Sequence, residues 1–152
     1  MSMSNLLLTN YGLTFEINVG SSAEDYASLA DGFDNVSEEL NEAVQQYFFL
    51  DGGGYAENWV TGMAPVYTLT GVRKVGDSAQ DWIFAGDRKY GLMAQRNTTL
   101  KITRTKTAGK TETITAPVTL CNLTDIGGGT TDGSAVSVEL HINGKPTVTA
   151  SA

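Results

Sequence analysis

Alternating apolar and polar residues predict most of the secondary structure of this chain. Every second residue is apolar in Leu13–Val19 and in Ala135–Asn143, and a period of two is typical of a β-strand buried on one face. Two Thr-rich segments, Thr98–Thr105 and Thr111–Leu123, favour strands by composition and are joined at residues 108–110. The pattern therefore predicts a protein built mainly from β-strands.

Three other segments have weaker or different strand patterns. Ala64–Arg73 is apolar on both faces, which predicts a strand covered on both sides. Tyr26–Phe33 is a weaker strand candidate. Asn143–Gly144 is a strong hairpin dipeptide, so we expect Pro146–Thr149 to return as a short edge strand beside its predecessor.

Two short helices are also predicted. Ser37 is a candidate N-cap, and Leu40, Val44 and Tyr47 follow at helical spacing. We expect that helix to give way to a strand over Tyr47–Leu50, and then to a loop that runs from Asp51 to Gly62.

The second predicted helix spans Asp77–Ala85. Asp77 is its expected cap and Gln80 stands three residues later, as in a capping box. Gly86 is expected to end it. Its apolar face, which we expect to pack on the sheet as the structural core of the helix, comprises Ala79, Trp82 and Ile83.

Composition bounds the class of protein. The chain has 152 residues, 41% hydrophobic and 18% charged, which suits a single domain with a real core. We expect an N-terminal arm over residues 1–12 and one β domain over 13–152. The sequence has neither the long apolar run of a membrane helix nor the charged start of a signal peptide. An acidic chain is also a poor candidate for gripping nucleic acid.

The charge is distributed very unevenly. Residues 1–72 contain ten acids and no Lys or Arg, whereas residues 73–152 contain seven acids and ten bases, so −10 and +3 sum to −7. One interpretation is an acidic solvated face. The other is an acidic surface that meets a basic surface of a neighbouring copy. The candidate basic contact face comprises Lys101, Arg104, Lys106 and Lys110.

No catalytic, metal or cofactor motif is complete. Gly109–Thr111 resembles the end of a phosphate-binding loop, but the required earlier glycine is Arg104 and β sequence follows. The single His141 and single Cys121 exclude a multi-cysteine or His-rich metal site. No serine lies in a nucleophile elbow. We therefore expect no enzyme activity, no metal and no cofactor.

One region carries a resemblance to a known family. Tyr47–Glu57, Val60–Gly62, Tyr67–Arg73 and Gly76–Ile83 resemble, in order and spacing, the major tail tube protein of long-tailed bacteriophages. The Asn143–Pro146 turn is similar too, and the resemblance covers about residues 13–149.

The resemblance implies a β-sandwich or barrel with one short flanking α-helix and long inter-strand loops. It implies hexameric rings that stack head to tail into a hollow conduit for genome delivery, located in the virion tail after synthesis in the host cytoplasm. Tail terminator, distal tail and tape-measure proteins are the implied partners. DNA would pass through without specific binding, and the subunit would not contact a membrane.

The long Gly-rich loop is the expected contact between subunits or rings, because Trp and Tyr are frequent anchors of interfaces. Its residues are Asp51, Gly52, Gly53, Gly54, Tyr55 and Trp59. The alternative function is a monomeric carbohydrate-binding β-sandwich, in which Tyr55 and Trp59 would form an exposed aromatic platform.

Overall fold

Ten β-strands and two short α-helices form the secondary structure of the described residues. The computed structural model describes residues 7–20, 22–107 and 109–150. In chain order the elements are β1 Thr14–Asn18, β2 Tyr26–Ser28, β3 Phe33–Glu39, β4 Ala43–Tyr47, β5 Glu57–Gly62, β6 Val66–Val72, α1 Ser78–Ile83, α2 Gly86–Lys89, β7 Asn97–Thr107, β8 Lys110–Thr124, β9 Ala135–Ile142 and β10 Thr147–Ala150. Single 3-10 turns lie at Asn10–Gly12, Leu50–Gly52 and Met93–Arg96.

One antiparallel sheet contains all the strands except β4 and β5. Its order is β2-β1-β7-β8-β9-β6-β3, with β10 paired to the free part of β8. The alternating apolar residues of these strands form a single core, to which the helix α1 adds Ala79 and Ile83. The first six residues of the predicted N-terminal arm lie outside the described residues.

The sheet curls until its two ends approach each other. Phe15 of β1 contacts Tyr67 of β6 edge to face, with the ring centroids 6.3 Å apart. A groove of about 780 Å³ remains between β1 and β3, with Phe15, Leu29 and Leu69 among its lining residues. The molecule is thus mainly β, with a barrel-like sheet open along one seam, in agreement with the implied fold class.

The strands predicted from alternation are confirmed. β1 and β9 lie where the alternation placed them, and β7 and β8 lie where the Thr-rich segments did. Val136, Val138, Leu140 and Ile142 of β9 are all buried, as the alternation requires. β6 also lies within the predicted segment. The prediction that both of its faces are covered is wrong, because Val72 is 41% exposed in the isolated chain.

The helix predicted after Ser37 is wrong. Ser37 lies inside β3, opposite Thr68 of β6, and the following residues form β4. Asn41 has φ 49°, a left-handed conformation that no α-helix continues through. Leu40 and Val44 are exposed, so the helical spacing does not mark a buried face.

The long loop predicted after Asp51 is also partly wrong. Residues 57–62 form β5, which pairs with β4 in a separate two-stranded sheet. The strand expected over Tyr47–Leu50 ends at Tyr47, and a 3-10 turn follows at Leu50–Gly52. Cross-strand backbone hydrogen bonds hold these two strands together. Their side chains do not face the core.

The hairpin predicted at Asn143–Gly144 is not present. β10 pairs with β8, with Thr147 opposite Thr115, rather than with β9. The Asn143 amide donates to the Pro117 carbonyl of β8 at 2.8 Å. β9 and β10 therefore both run antiparallel to β8 and follow each other along it. With 15 residues, β8 is long enough to pair with both strands.

Two smaller predictions are also corrected. Tyr26–Phe33 is not one strand, since a turn at Gly32 (φ 86°) separates β2 from β3. Gly86 does not end the predicted helix: α1 ends at Ile83, and Gly86 begins a second helical turn, α2. Residues 77–90 therefore contain two short helices where the sequence predicted one.

Candidate assembly surfaces

The most prominent feature outside the core is a projecting β-hairpin, which we call the arm (residues 40–64). It is distinct from the predicted N-terminal arm over residues 1–12. The two sides of the hairpin meet at its base, where the Ala64 amide donates to the Leu40 carbonyl at 2.9 Å. The Asn41 side-chain amide donates to the Ala64 carbonyl at 3.0 Å. β4 and β5 thus leave the sheet together, at the end where β3 finishes and β6 begins.

Every residue of β4 and β5 is exposed. The arm contributes no residue to the buried core of the chain. It nevertheless carries large exposed apolar side chains along its whole length: Val44, Tyr47, Phe48, Phe49, Leu50, Tyr55, Trp59, Val60 and Met63. An apolar surface of this kind marks a contact site.

The apolar side chains lie on both faces of the arm. Residues opposite each other in an antiparallel pair share a face, and Val44 lies opposite Val60. The next pairs place Trp59 and Tyr47 on the other face. A hairpin that rested on one surface would need only one apolar face, so this pattern indicates burial between two surfaces.

The tip of the arm combines aromatic rings with glycines. The rings of Tyr47 and Phe49 stack with centroids 5.5 Å apart. Gly53 and Gly54 have φ 63° and 94°, a conformation that favours glycine. A Cβ at either position would meet no atom within 4 Å, so the glycines are needed for the turn and not for close packing.

All six loop residues singled out from the sequence lie on the arm. Asp51 and the three glycines form the turn at its tip, Tyr55 is 83% exposed beside them, and Trp59 is 57% exposed on β5. Sequence reasoning missed the apolar residues of β4 and the tip, which it had assigned to a helix and a strand. The available signal was the run Tyr47–Leu50, four apolar residues directly before a glycine turn.

The four candidate basic residues do not form one face. Lys101 and Arg104 are three residues apart in β7 and so point to opposite sides of the sheet. The Lys101 ammonium lies 4.0 Å from the centroid of the Tyr26 ring, and Arg104 pairs with Glu112 at 2.6 Å. Lys106 and Lys110 are exposed near the β7–β8 turn.

Helix α1 is fixed to the opposite end of the sheet from the arm. Asp77 caps it by accepting from the Gln80 amide at 3.0 Å. Ala79 and Ile83 are fully buried, whereas Trp82 is only partly buried and packs against the core. The Arg88 guanidinium lies 3.5 Å from the centroid of the Trp82 ring and covers its other side.

An ion-pair network ties the helices to the loop after β8. The Asp125 carboxylate accepts from the Lys89 ammonium at 2.5 Å and lies 3.8 Å from Arg73. This hydrogen bond raises the pKa of Lys89. Arg73 also pairs with Asp81 at 2.9 Å, and this hydrogen bond lowers the pKa of the Asp81 carboxyl.

His141 and Cys121 are the two reactive residues that the sequence singled out. His141 lies 3.0 Å from Glu139, and the hydrogen bond lowers the pKa of that carboxyl. Burial raises the pKa of the Cys121 thiol, which disfavours the reactive thiolate. Among the described residues no group of three acids, His or Cys is placed to hold a metal ion, and no helix is long and apolar enough to cross a membrane.

No family model matches the chain. No curated protein matches it in sequence. Solved structures do match over nearly the whole chain, and their structural likeness shows the fold.

Three of these structures come from tail-related particles. A chain in the tail of an empty gene transfer agent particle, refined helically with C6 symmetry, is 14% identical, with a TM-score of 0.67 over 93% of this chain and 98% of that one. A chain in the virion of the native particle is 13% identical, with a TM-score of 0.65 and the same coverage. A chain of the anti-feeding prophage tube-terminating cap is 18% identical, with a TM-score of 0.59 over 99% and 96%.

The chain therefore has the fold of phage-type tail proteins. This confirms the fold that the sequence resemblance to tail tube proteins implied.

Proposed function

We propose that this chain is the structural subunit of a phage-type tail tube, in which six copies form a ring and the rings stack head to tail. One observation carries the proposal: the fold matches, over nearly the full length of both chains, a component of a tail that has C6 symmetry. The subunit would reside in the tail of a virion or a related particle, and the tube would conduct the genome.

The arm supports this proposal independently. A two-stranded hairpin alone is at best marginally stable in water, and the arm has apolar residues on both faces and none in the core. Burial between copies in a ring or stack would cover both faces. We therefore expect Tyr55 and Trp59 to be buried by other copies in the assembly.

The proposal assigns no catalytic role and no cofactor to the chain. Its partners are other copies of itself and the proteins at the two ends and in the lumen of a tube, namely tail terminator, distal tail and tape-measure proteins. The likeness to a subunit of a tube-terminating cap supports this view, since a cap of similar fold can stack on a ring as another ring does. DNA would pass through without specific binding.

Negative-stain electron microscopy and analytical ultracentrifugation of the purified protein test the proposal. We expect rings of six copies or hollow filaments. Trp59→Ser removes the largest anchor of the arm and should abolish them, whereas Thr61→Ser, on the same strand, should assemble as the parent does. A parent chain that remains monomeric at all concentrations would contradict the tail-tube function.

The second candidate, a monomeric carbohydrate-binding module, is favoured by one observation. Tyr55 and Trp59 are exposed in the single chain, as an aromatic platform requires. The same experiment separates the two functions, because a binding module stays monomeric and its Trp59 fluorescence shifts when oligosaccharide is added. The tube subunit forms rings and shows no such shift.

A further inference from the structure

A second set of exposed apolar side chains lies far from the arm. Its five members come from three segments around the helices and are each more than three-quarters exposed: Val75, Tyr90, Leu92, Met93 and Ile126. Met93 has φ 59°, an uncommon and strained conformation for a large side chain. Four of the five lie within residues 73–96. We call residues 73–96 together with Ile126 the helical end.

The helical end is held rigidly, unlike a loose loop. Arg96 donates to the carbonyls of Gly91, Lys89 and Leu120, so it holds the Tyr90–Met93 segment against β8. Asp125 binds both Lys89 and Arg73, which fixes the segment beside Ile126. The exposed apolar side chains are therefore presented on a fixed frame, as a docking surface requires.

The arm and the helical end lie at opposite ends of the same strands. The arm joins the sheet where β3 ends and β6 begins, between Glu39 and Val66. At the other end of β6, Val72 pairs with Ala135 of β9 and leads directly into Arg73. One subunit thus carries an apolar projection at one end and an apolar surface at the other.

The two surfaces also differ in charge. Residues 40–64 contain three acids (Glu42, Asp51 and Glu57) and no base, for a net charge of −3. Residues 73–96 contain five bases and three acids, which gives +2, and Asp125, which pairs with Lys89 and Arg73, reduces the net charge to +1. Opposite charges of this kind orient the approach of two surfaces.

We propose that the helical end is the docking surface for the arm of a copy in the adjacent ring. This inference rests on the proposed tail-tube function and names the two surfaces that join one ring to the next. Tyr55, Leu50 and the other apolar residues at the tip lie against Tyr90, Leu92, Met93 and Ile126. A contact between different surfaces of identical copies closes into a ring or repeats without closing, according to its rotation. Between copies in adjacent rings it repeats from ring to ring and so extends the stack.

Disulfide cross-linking tests the contact in the full chain. In a Cys121→Ser background, Tyr55→Cys is combined with Leu92→Cys, and a second variant combines Leu50→Cys with Ile126→Cys. After assembly and mild oxidation, we expect at least one pair to give a ladder of covalent multimers that extends beyond six copies on a non-reducing gel. The matched single-cysteine variants should give no ladder.

Three other results would overturn the inference in distinguishable ways. If microscopy shows tubes but neither pair gives a ladder, the docking surface is wrong and the tail-tube function stands. If the covalent products stop at six copies, the arm docks within its own ring. If the unmodified chain forms neither rings nor tubes, the proposed function fails and the inference falls with it.

Discussion

Gln80 determines where helix α1 sits on the sheet. Its side chain is completely buried, yet all of its hydrogen-bonding capacity is used. The amide nitrogen donates to the carbonyls of Asp31 and Val72, each at 3.1 Å, and the oxygen accepts from the Lys74 amide at 2.8 Å and from Arg73 at 3.3 Å. One side chain therefore joins the helix, the turn before β3 and the end of β6.

Gln80→Leu should destabilise the fold by about 1–3 kcal/mol. The substitution keeps the volume but leaves at least two buried backbone groups without a partner, which is the costly case for hydrogen bonds. The free energy of unfolding by urea measures the effect. Gln95→Leu, at an exposed position, is the matched control and should stay near the parent value; equal stabilities for the two variants would contradict the role of Gln80.

Asp81 should make the stability of the fold depend on pH in the acid range. Its hydrogen bond to Arg73 and that to the Gly76 amide lower its pKa in the folded state. A carboxylate with a lowered pKa stabilises the fold above the unfolded value of about 3.9, and this contribution is lost as pH falls through the folded pKa.

The measurement is the thermal midpoint of the parent and of Asp81→Asn between pH 2 and pH 7. We expect the parent to have the higher midpoint near neutral pH and the two curves to converge below the usual aspartate pKa. Asp87→Asn, which removes an exposed charge from α2, controls for net charge. A difference that persists unchanged at pH 2 would show that the ion pair is not its cause.

At the scale of elements, the start of β3 is packed against β6 with no room for a side chain. A Cβ on Gly71 would lie 1.9 Å from the Gly32 carbonyl oxygen and 2.8 Å from the Phe33 Cα. Both contacts are to backbone, which cannot move aside as a flexible side chain does. This close approach sits beside the register shift between Phe33 and Asn35.

Gly71→Ala should therefore cost about 1–3 kcal/mol or more, the usual range for overpacking. Gly52→Ala at the tip of the arm is the matched control, because a Cβ there meets nothing within 4 Å. Urea unfolding of both variants measures the difference. If Gly71→Ala were as stable as Gly52→Ala, the close packing of β3 on β6 would be contradicted.

The arm is an element that the body of the protein does not need for its own stability. We expect that replacing residues 42–62 with two glycines changes the free energy of unfolding of the monomer by no more than about 0.5 kcal/mol, the range for surface changes. The same variant should form no rings or tubes. Loss of the fold would show that the arm supports the core, and tubes of normal length would show that it has no part in assembly.

At the scale of the whole molecule, the charge asymmetry of the sequence becomes a spatial one. Six of the ten acids in residues 1–72 are exposed on β3, on the arm or between them: Asp34, Glu38, Glu39, Glu42, Asp51 and Glu57. Among the described residues, Asp31 is the one member of the ten within 4 Å of a basic group, the Lys74 ammonium at 3.4 Å. Most of this negative charge is therefore free to face another surface or a channel.

We predict that the lumen of the assembled tube is net negative and that much of this charge comes from residues 1–72. A weak attraction per subunit would multiply over many rings and trap the DNA, whereas repulsion near the wall keeps it mobile. The measurement is a count of charged side chains that face the axis in a structure of the tube. If Lys and Arg equal or outnumber Asp and Glu there, the prediction fails and the asymmetry serves stacking alone.

The sequence by itself determined the strands whose apolar residues face the chain's own core. β1 and β9 alternate strictly, and the Asp77 cap of α1 is a local signal within four residues. Such strands can be predicted because their apolar residues recur at every second position and all face the same buried side. The six loop residues were singled out from sequence because glycines beside large aromatics are unusual in a free loop, and their role as a contact between copies stays a prediction.

Only the tertiary structure decided the form of the arm and the partner of β10. Leu40, Val44 and Tyr47 have helical spacing, but Leu40 precedes β4 and the other two lie in it. All three are exposed and face no core of their own chain, so their period carried no information about the fold. Asn143–Gly144 favours a hairpin locally, but β10 pairs instead with the free part of β8. The physical reason is the same in both cases: a local pattern reports which residues are apolar, and only the three-dimensional arrangement determines which surface covers them.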